Sequence, residues 1–136
     1  LDIDFSNINI KEIFVENSRN DCSDFSRGIY KINKSIFINC QDKAISIGEK
    51  SKINLNKTSI KNSNIGIASK DSSISSVNEV FLENLNICVS AYNKKQEFSG
   101  SILNINFIEC KNYLKDIEID SSSNIFIKKS EYFGAS

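Results

Sequence analysis

A spacing of 22 residues constrains this chain more than any other feature. Residues 42–49, 64–71 and 86–93 align without a gap, and 20–27 falls into the same register upstream. Between these blocks lie second segments, Ile36-Phe37-Ile38-Asn39, Thr58-Ser59-Ile60-Lys61 and Val80-Phe81-Leu82-Glu83, again 22 apart. Self-similarity at a fixed period of this size is the signature of a repeat architecture, in which each unit buries its apolar face only by stacking on the next. Within each block Ile, Val and Leu alternate with Ser, Asn and Lys, the period of two expected of a strand. No segment of helical length separates the strands, and no Asn-Gly or other tight hairpin dipeptide joins them. The fold class predicted is all-β, a right-handed parallel β-helix of about six coils with about 22 residues per coil, formed by residues 1–136 as one domain.

Stacking at about 4.8 Å per coil turns every position of the period into a ladder along the axis. Ile45, Ile67 and Val89 form one predicted inward ladder, with Ile47, Ser69 and Ala91 two positions on, and Ile38, Ile60 and Leu82 form another. Asn39 over Lys61, Asn62 over Asn84 and Asn64 over Asn86 place amides near the bends, where stacked side chains hydrogen-bond from coil to coil. The period breaks between Tyr92 and Gly100, where aligning Asn86 with Asn112 requires about four extra residues around 93–98. Insertions in solenoids form loops on one face, often the binding face. Neither end carries an amphipathic capping helix, so packing against another chain or domain, end to end or face to face, is expected.

Composition removes several function classes. The 136 residues carry 17 Lys+Arg against 17 Asp+Glu, a formal net charge of zero, which argues against a general nucleic-acid binder. With no histidine there is no Ser-His-Asp or Cys-His pair and no imidazole metal ligand. No apolar run is long enough for a membrane span, so membrane insertion is not expected. The absence of methionine reads as a mature or excised segment of a longer chain. Cys22 and Cys88 stand three periods apart, about 14 Å at the coil rise, and Cys40 and Cys110 nearly as far, beyond disulfide reach. Four free thiols, and with them a reducing compartment, are the expectation.

On this alternation Cys22, Ala44, Gly66 and Cys88 face outward, followed by Asp24, Ser46, Ala68 and Ser90. These make a floor of small side chains. Charged residues rim it: Asp42 and Lys43 before the strand, Glu49 after it, Lys70 and Asp71 one coil on, and Lys94, Lys95 and Glu97 in the insertion. A small floor with a charged rim suits a linear polar ligand, and Lys70, Asp71 and the 94–97 loop are expected to share a site.

The runs Asp21-Cys22-Ser23-Asp24-Phe25-Ser26, 41–51, 64–72 and Tyr92-Asn93-Lys94-Lys95-Gln96-Glu97-Phe98 resemble the bacterial right-handed parallel β-helix proteins of the pectin-lyase-like superfamily. The resemblance spans roughly residues 20–110. It implies a polysaccharide or glycan partner, a secreted or cell-surface location, and lyase, epimerase or glycosidase chemistry, although superfold members also serve as tailspikes and adhesins. The paired aspartate, Gly-His-Gly and Arg-x-Lys of its polygalacturonase-like members are absent: Asp42 is followed by Lys43, and Gly66 has no histidine beside it. Under the resemblance, the catalytic candidates are Asp24, Asp42, Lys43, Lys70 and Asp71. Lysine would supply base and clamp, and carboxylates would act as partners, as acid–base pairs or as Ca²⁺ ligands. Ser46, Glu49, Ser90, Tyr92, Lys94, Lys95 and Glu97 are the substrate-binding candidates. A non-catalytic structural, adhesin or filament-forming module is the alternative.

Overall fold

The computed structural model describes residues 1–135. They form eight strands and no helix: β1 (Asp2–Asp4), β2 (Asn7–Ser18), β3 (Ser23–Ser26), β4 (Ile29–Gly48), β5 (Lys52–Lys70), β6 (Ile74–Tyr92), β7 (Ile102–Ile119) and β8 (Asn124–Phe133). Every pairing is parallel, and the strands stack in the order β1-β3-β4-β5-β6-β7-β8, with β2 on β4. The result is the predicted parallel β-solenoid, of about six turns with about 22 residues each.

Each long strand bends round most of one coil. At one bend the backbone takes a left-handed conformation in five successive coils, at Asn17, Asn39, Asn62, Asn84 and Asn112, with φ of 60, 59, 53, 64 and 55°. Asparagine tolerates this region better than other non-glycine residues. Its amide then pairs upward and downward: Asn39 donates to Asn17 at 2.8 Å, Asn62 to Asn39 at 3.2 Å, and Asn84 to Asn62 at 2.9 Å. A second column, Asn33, Asn56, Asn78 and Asn106, is linked in the same way at 2.9 to 3.1 Å. One side chain thus relieves a strained corner and ties adjacent coils.

The core is a set of inward columns. Ile32, Leu55, Val77 and Ile105 form one, Ile45, Ile67 and Val89 another, all at most 2 % exposed. The third is Phe37, Ile60, Leu82 and Cys110, so Phe37 takes the inward place expected of Ile38, which points outward. The cause is a register shift between Cys40 and Lys43: the earlier part of β4 pairs with β5 at a separation of 23, as in Phe37↔Ile60, and the later part at 22, as in Ile45↔Ile67. The same shift sets Asn62, and not Lys61, over Asn39. In a strand, a slip of one residue exchanges the two faces. The insertion is likewise longer than expected, since Ile74 pairs with Ile102, 28 residues on, and Asn112 sits over Asn84 and not Asn86.

The cysteines are not free. Cys22 bonds Cys40 and Cys88 bonds Cys110, with Cα separations of 5.5 and 6.4 Å. The separations along one ladder that argued against bonding concern the wrong partners. Each bridge instead crosses the core from one wall of the solenoid to another, and all four sulfurs belong to residues at most 1 % exposed.

Candidate functional site

The disulfides already show that the ladder Cys22, Ala44, Gly66, Cys88 faces inward, which corrects half of the expected floor. A Cβ at Gly66 would overlap Leu82 Cδ2 and the Cys88 carbonyl, so core and backbone, not solvent, lie on that side. The following column, Asp24, Ser46, Ala68, Ser90, keeps the outward side of the sheet but is not open. Ser46 and Ala68 are 0 % exposed and Ser90 is 1 % exposed. The Lys70 chain lies against Gly48, its Cε 3.2 Å from where a Cβ would stand, and Gly48 is what gives it room.

Around this covered floor the structure gathers Asp24, Asp42, Lys43, Lys70 and Tyr92, together with Asp21, which the sequence reading did not single out. Lys43 Nζ is 3.1 Å from Asp42 and 3.7 Å from Asp21, and its backbone N–H donates to Asp21 at 3.1 Å. Burial disfavours the Lys43 ammonium, but the Asp42 hydrogen bond and the Asp21 charge outweigh it and hold its pKa up. Lys70 is shifted the other way, first by burial and then by the neighbouring charge of Lys43. Burial pushes Asp24 and Tyr92 up, in both cases against a nearby lysine. Three carboxylates and two ammonium groups thus compensate one another beside a floor whose small residues are buried.

Asp71 and the insertion do something different. Asp71 is 1 % exposed, and its Oδ1 accepts from the N–H of Lys94 at 2.7 Å, the N–H of Lys95 at 2.9 Å and Asn93 Nδ2 at 3.2 Å. Asp120 Oδ2 accepts from the Asn93 N–H at 2.7 Å, which lowers the Asp120 pKa. These carboxylates clamp the root of the 93–99 loop. Glu49 pairs with Arg27 and Lys95, a bridge across three coils at the same edge. Asp71 therefore belongs to the scaffold of the loop, while the Lys70 chain lies against Gly48. Glu97 is exposed on the loop. Among the described residues no group of three or more Cys, Asp or Glu side chains is placed to hold a metal ion.

An open groove lies elsewhere, on the outer side of the bend between the first and second thirds of each long strand. It has a volume of about 810 Å³ and crosses five coils, a length of about 19 Å at the solenoid rise. Two columns line it. Asn33, Asn56, Asn78 and Asn106 spend their amides on one another, as described above. In the second column, Asn9, Lys31, Asn54, Ser76 and Asn104 stand in register, partly or fully exposed, and none of their side chains has a hydrogen-bond partner within the chain among the described residues. The reason is in the order of residues: Lys31 and Ser76 interrupt this column, so no amide has another directly above or below it. The signal was legible as polar positions two residues before each bend asparagine, alternating with the inward Ile32, Leu55, Val77 and Ile105.

Comparison with known protein families, with curated proteins and with solved structures gave no match.

Proposed function

We propose that this chain binds an extended polysaccharide in the asparagine-lined groove without cleaving it. The observation that carries the reading is the free polar column of Asn9, Lys31, Asn54, Ser76 and Asn104 in an open groove five coils long. Amides and hydroxyls both donate and accept, as sugar hydroxyls require. Their repeat along the axis, about 4.8 Å, approaches the length of one pyranose unit in a linear chain. Lys11 and Lys31 at one end of the groove suit a polymer bearing acidic groups. No carboxylate lines it, whereas glycoside hydrolysis requires a pair of them flanking the bond. The carboxylates and lysines of the small-residue face pair over a closed floor, which favours a structural role for that face. Two buried disulfides fit a chain that folds where thiols are oxidised, consistent with meeting glycans outside the reducing cytosol.

The test is a glycan array probed with the wild-type chain and with Asn54→Ala/Asn104→Ala, followed by titration of any polysaccharide bound. Binding lost in the variant, with its melting temperature unchanged, supports the reading. Equal binding by both moves the ligand off the groove, and no binding by either favours a purely structural solenoid.

A further inference from the structure

The outer face formed by the middle of each long strand is unused by anything above, and its side chains form three columns. The first runs Glu12, Lys34, Lys57, Glu79, Phe107, Lys129; the second Phe14, Ile36, Ser59, Phe81, Glu109, Glu131; the third Glu16, Ile38, Lys61, Glu83, Lys111, Phe133. At its centre the β5 row presents Lys57, Ser59 and Lys61, and the β6 row directly above presents Glu79, Phe81 and Glu83. None of these four charges closes an ion pair within the chain among the described residues, although Lys57 stands in register with Glu79 and Lys61 with Glu83. Apolar side chains are interleaved with them: Phe14 is 54 % exposed, Ile36, Ile38, Phe81 and Phe107 are half-buried, and Phe81 and Phe107 pack together with centroids 5.8 Å apart.

We propose that this face docks a second copy of the same chain, the two solenoids running in opposite directions about a two-fold axis that lies between β5 and β6 and parallel to them. Such an axis keeps each column and exchanges the rows. Lys57 then faces Glu79 of the other copy, Lys61 faces Glu83, and Ser59, the small residue of its row, faces Phe81. Farther out, Glu12 faces Lys129, and Lys34 faces the ring of Phe107, a favourable cation–π arrangement. An isologous interface uses each of these contacts twice. The opposite choice, with the solenoids parallel and the axis along the second column, sets Lys57 against Lys61 and Glu79 against Glu83. Like charges placed face to face are excluded at such cost that the charge pattern selects the antiparallel pair.

The experiment is a charge exchange read by native mass spectrometry and sedimentation equilibrium at low ionic strength, with folding checked by circular dichroism. The wild-type chain of 15.3 kDa is expected to be a dimer. Lys57→Glu/Lys61→Glu and Glu79→Lys/Glu83→Lys are each expected to be monomeric, with the dimer dissociation constant raised about a hundredfold or more. Mixed one to one, they are expected to form a heterodimer, since every opposed pair is again of opposite sign. A role for these charges confined to one chain produces no heterodimer on mixing. A monomeric wild type, or exchanged chains that each dimerise as well as wild type, overturns the proposal. If an exchanged chain does not fold, Ser59→Glu sets a carboxylate against the Phe81 ring of the other copy at an outward site. It is expected to weaken the dimer, and an unchanged dimer overturns the proposal equally.

Discussion

The face over Ser46, Ala68 and Ser90 and the groove beside Asn54 are built from the same 22-residue period, yet one is closed and the other open. Both have outward columns flanked by polar rows. Over the first, the neighbouring rows supply Lys43, Lys70 and Tyr92, and of these Lys43 is held by ion pairs to Asp21 and Asp42 while Lys70 lies against Gly48. Beside the second, the neighbouring row is a ladder of asparagines whose short side chains are bonded along the axis and cannot reach across. A solenoid face is therefore accessible or not according to where its flanking side chains find their partners. Residue size in the floor decides less than it suggests.

The comparison breaks most violently through the inner side of the closed wall. Replacing Cys88 and Cys110 by alanine removes a bridge closing a 22-residue loop and is expected to cost about 3 kcal/mol, read as a lower denaturant midpoint under oxidising conditions. Gly66→Val places branched carbons against Leu82 and the Cys88 carbonyl, with an expected loss of about 2 kcal/mol. Ala68→Val, two residues on, adds its carbons on the outer side of the sheet, away from the core, and its cost should be less than half of that. If Gly66→Val changes stability by no more than about 0.5 kcal/mol, as surface substitutions do, this ladder faces outward after all.

The two asparagine columns sharpen the contrast on the open side. Asn56 donates to Asn33 and accepts from Asn78, so Asn56→Ala removes two amide bonds and should cost about 1.5 kcal/mol in chemical denaturation. Asn54 has no such bonds, and Asn54→Ala should leave stability within about 0.5 kcal/mol. In binding assays the order reverses, with Asn54→Ala weakening polysaccharide affinity several-fold more than Asn56→Ala. Equal stability losses at the two positions would mean that the free column also pairs within the chain.

These distinctions mark how far the sequence could be read. The coil count, the parallel stacking and the Ile45-Ile67-Val89 column follow from the period alone, because an inward apolar position must recur wherever coils stack. The swap of Phe37 for Ile38 could not be read, because both are apolar and one extra residue between Cys40 and Lys43 turns the choice over without disturbing the pattern. The disulfides were missed for a related reason. Distance along a ladder was considered, whereas bonding runs across the coil, between walls whose separation depends on the bends. The closed floor was hidden for a third: alternation states which way a side chain leaves the backbone, and not where a long one comes to rest.

The smallest effect expected tests that last point. Lys70 has its pKa lowered by burial and by Lys43, and these outweigh the favourable charges of Asp24 and Asp21. The folded state therefore holds the Lys70 proton less tightly than the unfolded chain does, whose value is near 10.5. Carrying the ammonium costs folding stability below the folded pKa, and that cost fades as the pH rises through the folded pKa toward 10.5. Lys70→Met keeps the stem that lies against Gly48 while removing the charge. It should stabilise the chain by about 0.5 kcal/mol at pH 7, with the gain shrinking in thermal melts at higher pH. Asp24 works with the opposite charge. Burial raises its pKa, so its carboxylate costs stability at neutral pH, and that cost falls as the pH drops through the folded pKa toward 3.8. Loss of stability on Lys70→Met at pH 7 would mean that the amine is held by its carboxylate neighbours rather than merely tolerated among them. The floor would then be closed by attraction at Lys70 itself, and not only at Lys43.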